Sequence, residues 1–148
     1  MKNIQLSVAA AAALLSSGAN AYTTYADGSK FFIAYNKDED MMKVEAFVKP
    51  NTYLGLAMGN GMQGTDMIIF EAIYDGKVGD FVGVGYRPPK KDTIQDLKNV
   101  VIDKKDGFIH YIVSRKLKTN DSKEDTVIEC GKEYRWTWVA NTEVPTIV

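Results

Sequence analysis

At 148 residues, with 45% hydrophobic and 11% aromatic side chains, the chain can fill one core without disulfide staples and is too short for two. Eighteen basic against nineteen acidic residues leave a formal net charge of -1, so no global basic field recruits nucleic acid or anionic lipid, and any ligand must be held by a local site. One histidine and one cysteine exclude an internal disulfide and leave no Ser-His-acid or Cys-His arrangement to build on.

The first element in chain order is a secretory signal. Met1-Lys2-Asn3 supplies a positive start, residues 6–15 an alanine-rich apolar run, and Ala19-Asn20-Ala21 the small-x-small form read by signal peptidase. Cleavage after Ala21 is expected, with residues 1–21 as signal peptide and residues 22–148 as one mature domain, secreted or lumenal. The apolar run is shorter than the roughly 20 residues needed to span a bilayer, and no later stretch approaches that length, so no transmembrane segment is expected after cleavage.

Beyond residue 22 the pattern is that of strands. Residues 30–35, 43–48, 53–58 and 67–74 are rich in Phe, Ile, Val, Tyr and Leu. Between them stand polar or turn-forming segments: residues 36–40, Lys49-Pro50-Asn51, Asn60-Gly61 and Asp75-Gly76. Residues 79–86 alternate Phe81, Val82, Val84 and Tyr86 with glycines, and a stiff link with Pro88-Pro89 follows. A turn of helix is expected at 93–97, then strands at 100–104, 108–117 and 133–140, with Asp106-Gly107 as a tight turn. About seven to nine short strands at this spacing predict an all-β, two-layer sandwich, with a closed barrel as the structural alternative. In the 108–117 strand, Ile109, Tyr111, Val113, Arg115 and Leu117 share the inward parity, while His110 falls on the more polar face.

Residues 53–70, a strand, a glycine-rich loop holding Met62 and a second strand, carry a resemblance together with later segments. Pro89, Asp92 and Gln95-Asp96 follow in order, then Ser114-Arg115-Lys116-Leu117-Lys118-Thr119-Asn120-Asp121 with Asp125, then Trp138-Val139-Ala140. In order and spacing these resemble the DOMON domain family over roughly residues 30–140. The resemblance implies an immunoglobulin-like β-sandwich that binds b-type haem or sugars, or serves as an interaction module. In haem-binding members the loop methionine is an axial iron ligand, and Met62 in Gly61-Met62-Gln63-Gly64 occupies that place. A thioether is a soft, neutral ligand, and flanking glycines let the backbone approach a flat macrocycle. The resemblance also implies a second axial histidine after the closing Trp-Ala strand, and residues 141–148 contain none. Met58, Met67 and Lys132 are conceivable substitutes that no spacing selects, and His110 would require a different haem orientation.

Four residues, Met62, Gly61, Gly64 and Met58, are therefore the expected cofactor-binding set, with Met62 on a haem iron. Asp66 and Asp121 read as turn residues whose carboxylates accept local backbone N–H bonds, and Arg115 as reaching Asp121 or Asp125. Asn120-Asp121-Ser122 is an N-glycosylation acceptor, and Cys130, beside Gly131, is expected to be buried. No metal site of another kind is expected. The sequence favours an extracytoplasmic binding module over a self-sufficient enzyme, with haem b and electron transfer as the sharper reading. A haem-free carbohydrate-binding or adhesive module, with a sugar or another protein chain as partner, is the alternative.

Overall fold

The computed structural model describes residues 2–7, 23–36, 38–59, 61–129 and 131–141. Strands β1 (Lys2–Ser7), β2 (Thr23–Thr24), β3 (Lys30–Asn36), β4 (Met41–Val48), β5 (Tyr53–Met58) and β6 (Gln63–Glu71) are followed by β7 (Lys77–Val84), β8 (Lys90–Lys91), β9 (Lys98–Lys105), β10 (Phe108–Lys116) and β11 (Glu133–Asn141). They form two antiparallel sheets, in the orders β1-β11-β5-β6-β7-β8 and β2-β3-β4-β10-β9, packed as the expected sandwich. Strand β1 lies along β11, from Lys2 opposite Trp138 to Ser7 opposite Glu133. The rest of the expected signal segment, with its cleavage site, lies outside the described residues, as does Cys130.

Alternation builds the core. On β10, Ile109, Tyr111, Val113 and Arg115 are buried against the opposite sheet, the parity that the sequence predicts. Leu54, Leu56 and Met58 of β5 and Ile68 and Phe70 of β6 meet them from the other side, with Trp136 and Trp138 of β11. Aromatic edges lock the layers: Trp138 stands edge-on to Tyr25 at 4.7 Å and to Phe31 at 6.0 Å, and Phe70 to Tyr111 at 5.2 Å. The Tyr111 hydroxyl then donates to the Glu71 carbonyl at 2.8 Å, joining β10 to β6 across the core.

Asp106 and Gly107 both have positive φ (53° and 81°) and join Lys105 to Phe108 as a two-residue hairpin. The helical turn expected at 93–97 is instead a bend followed by irregular chain. Its cause is Gln95, whose side chain acts as a short substitute strand on β7. The amide oxygen accepts from the Asp80 N–H at 3.0 Å, and the amide nitrogen donates to the Asp80 and Asp92 carbonyls at 2.8 and 3.0 Å.

A polar layer closes one end of the core. Arg115 is 0% exposed and donates from Nη1 to Asp66 Oδ2 at 2.6 Å and from Nη2 to the Thr126 carbonyl at 2.7 Å. Arg115 was expected to reach Asp121 or Asp125. It crosses to β6 instead, because Asp66 has inward parity and the guanidinium is long enough to span the gap between layers. Asp66 is therefore a buried ion-pair partner rather than a turn residue, and its Oδ2 also accepts the Thr126 N–H at 2.7 Å. Asp121 keeps the turn role, accepting the Lys123 and Glu124 N–H groups at 3.1 Å. Removing one partner of such a buried pair strands the other charge, so Arg115→Met should lower stability by about 3–5 kcal/mol in urea denaturation; a loss within the range of an exposed substitution would contradict this role.

The same layer titrates. Burial, reinforced by Asp66 and Asp125, pushes the Asp80 carboxyl up to about 7. Burial and the Glu124 carboxylate raise Asp92 to about 8, and burial lifts Asp125 to about 6 against the opposing pull of the Thr119 hydroxyl and of Arg115. Unfolding returns these groups to the ordinary carboxyl value of 3.8. The folded chain thus holds more protons than the unfolded one between about pH 4 and pH 8, and stability falls as pH rises through that window. In chelator, where only the chain's own groups titrate, the urea midpoint should be higher at pH 5 than at pH 8.

Candidate functional site

A sheet face turned away from the core normally carries polar side chains. The middle of the first sheet's outer face does not. Ala57, Met67, Ile69 and Phe81 are buried there as a second apolar cluster, with Tyr53 and Met62 packed against it. Tyr53, Gly55 and Ala57 on β5, Met67 and Ile69 on β6, and Thr137 and Val139 on β11 line a shallow concavity of about 100 Å³, together with Met62 and Pro89. None of its lining residues is charged. The Thr137 hydroxyl is already committed, donating to the Gly59 carbonyl at 2.9 Å. Such a surface suits a flat, apolar ligand held by shape, and offers little to a polyhydroxylated one.

The Met62 loop reaches this face through a register irregularity. Asp66 pairs with Val82 but Gln63 with Val84, so β6 carries one extra residue between them. Counted by strict alternation from Met67, Met62 would turn inward; the extra residue restores it to the outer face. Gly64 takes up the required positive φ of 64°. The loop is then tied down: the Gly85 N–H donates to the Met62 carbonyl at 3.0 Å, the Gly59 N–H to the Arg135 carbonyl at 2.9 Å, and the Thr65 hydroxyl to the Gly61 carbonyl.

The expected site residues separate on this geometry. Met62 lines the concavity half-buried, whereas Met58 points into the core, 6% exposed, among the residues between the sheets. Gly61 is exposed, with open space where a side chain would begin. Asn120 is exposed in the loop after β10. His110 lies on the outer face of the other sheet. Its Nε2 stands 2.8 Å from Glu45 and its Nδ1 2.9 Å from Asp103, while Phe47 stacks on the ring at 4.4 Å. Both ring nitrogens are engaged and a whole sandwich separates them from Met62, so the two side chains cannot share a ligand.

Sequence reading missed Tyr53, Ile69, Pro89 and Thr137 as neighbours of Met62, and offered Met67 only as a conceivable substitute ligand that no spacing selects. One signal was present: residues 53–58 and 67–70 are apolar at nearly every position, the mark of strands covered on both faces. Gly83 was missed as well. It faces outward on β7, and a Cβ there would overlap the Met62 carbonyl oxygen and approach Met67 Cε to 2.8 Å. Gly83→Ala should therefore displace the Met62 loop at a cost of about 1–3 kcal/mol, read as a lowered urea midpoint together with faster amide exchange at Gly85; a variant with neither change would show that the close approach is not required.

Known proteins agree with this architecture. The DOMON domain family model matches residues 27–141. Among solved structures, the fold is similar to the cytochrome domain of Myriococcum thermophilum cellobiose dehydrogenase, MtCYT, with a TM-score of 0.57 and 13% identity over 93% of this chain and 67% of that one. No curated protein matches the chain.

Proposed function

Since this chain belongs to the DOMON domain family, we propose that it is an extracytoplasmic ligand-binding module whose outer apolar concavity takes a b-type haem for electron transfer. One observation carries the reading: a thioether, Met62, lines a charge-free apolar concavity on a sheet face that would otherwise be hydrated. The likeness to a cytochrome domain supports it.

The residues fit a macrocycle in part. Gly55 and Ala57 put little side chain into the concavity, and Tyr53, Ile69 and Val139 offer apolar cover. Met62 supplies one neutral sulfur ligand, and Met67 brings a second thioether to the same concavity. Among the described residues no imidazole reaches it. Bound haem would supply a one-electron couple, and thioether ligation with burial would favour the reduced state. The chain's own share is to exclude water from one face of the ring and to hold the sulfur through the Gly85 and Gly83 contacts.

The outer location follows from the expected signal at residues 1–21. Among the described residues no helix is long and apolar enough to cross a membrane.

A haem-free interaction module is the second reading, favoured by the missing imidazole. In that case the apolar face would be covered by another protein chain. A sugar is the weaker occupant, because Phe81 on that face is buried, which leaves Tyr53 as the half-exposed ring there, and the Thr137 hydroxyl is spent.

Titration of haem into the purified protein separates these readings. The haem reading predicts a Soret band shift at one equivalent and a spectrum altered in Met62→Ala. Absence of any shift would move the assignment to a protein partner, and a shift identical in Met62→Ala would remove the sulfur from the iron.

A further inference from the structure

The polar layer between the sheets holds more negative charge than its one arginine can balance. Asp66 on β6, Asp80 on β7 and Asp125 in the loop after β10 are 2%, 0% and 9% exposed. Each presents a carboxylate oxygen within 4.8 Å of the other two. Asp66 Oδ1, both oxygens of Asp80 and both of Asp125 have no hydrogen-bond partner. Asp80 is decisive, being fully enclosed with neither oxygen satisfied. A buried carboxylate without a partner is costly enough that it normally pairs, binds a metal or takes up a proton.

Geometry and charge select among these outcomes. Oxygens bound to one Ca²⁺ at about 2.4 Å can stand no more than about 4.8 Å apart, so the three groups lie within reach of a single ion. Three carboxylates and Arg115 sum to -2, which one divalent cation cancels. Every donor is oxygen, the set of a hard cation, and no histidine or cysteine joins the cluster among the described residues. Close burial leaves little room for the waters that Mg²⁺ retains, which favours Ca²⁺.

We propose that Asp66, Asp80 and Asp125 form a Ca²⁺ site that fastens the loop of residues 117–129 to β6 and β7. Other bonds hold the two ends of that loop: the Leu117 N–H to the Asp40 carbonyl, the Ile128 N–H to the Leu117 carbonyl, the Glu129 N–H to the Tyr134 hydroxyl and that hydroxyl to the Val127 carbonyl, with the Thr126 and Arg115 contacts already described. With the ion, two adjacent strands of one sheet and the loop leaving the other share one centre. A neighbouring trio, Asp92, Asp121 and Glu124, is the weaker candidate, because Asp121 is spent on backbone N–H groups and Glu124 is only half-buried. The proposed ion lies on the inner side of the first sheet, opposite the concavity, and does not depend on what binds there.

The test uses the full chain stripped with chelator and returned to metal-free buffer at neutral pH. Calorimetric titration with CaCl₂ should show one site, and thermal melting should show a rise in Tm of roughly 5 °C or more at saturation, with MgCl₂ giving less. Asp80→Asn should abolish the rise while keeping the side chain's shape; if that variant does not fold, Asp125→Asn carries the same expectation. A wild-type melt indifferent to Ca²⁺ overturns the proposal. So does a full response retained in both variants, or one lost in Asp92→Asn but kept in Asp80→Asn.

Discussion

An arginine with no contact with water sits between two sheets and holds an aspartate at 2.6 Å. In a low-dielectric interior that pair is tolerable only with good geometry and further hydrogen bonds, which the Thr126 backbone supplies at both ends. Its influence reaches beyond the two side chains. Fixing Asp66 inward decides the parity of β6, so Ile68 and Phe70 enter the core while Met67 and Ile69 are turned to the outer face. The apolar concavity is the far side of the same commitment.

Much of the architecture could be read in advance, because strand chemistry is local. The sandwich, the faces of β10 and the Asp106-Gly107 hairpin all follow from period-two alternation and turn preferences. The Met62 loop stood out through its glycines. What escaped was non-local or parity-dependent. Asp66 looks like a turn residue until Arg115, forty-nine positions away, arrives from the other layer. Met58 and Met67 are equally apolar in sequence, and their strands are apolar on both faces, so nothing local says which points to the core. Gln95 sits in a segment short enough to read as helix, yet its amide completes the edge of β7.

The two outer faces differ in kind. One has an apolar centre of Ala57, Met67, Ile69 and Phe81, with Glu71, Lys77 and Lys91 to one side of it. The other carries His110 between Glu45 and Asp103, over a Phe47 ring approached by Lys30 at 4.8 Å and Lys105 at 5.7 Å. A formal charge of -1 hides this polarity. Of the two faces, the one with the apolar centre gains more by losing water, so it is the face on which the proposed ligand would seat.

The extra residue in β6 has a consequence of another sort. Side chains around it can be exchanged at a graded cost, but removing one position would swing everything upstream through half a turn and hand the sulfur of Met62 to the wrong side. Over those few residues chain length is the sensitive variable, and shortening the loop by one is a harsher change than any replacement within it.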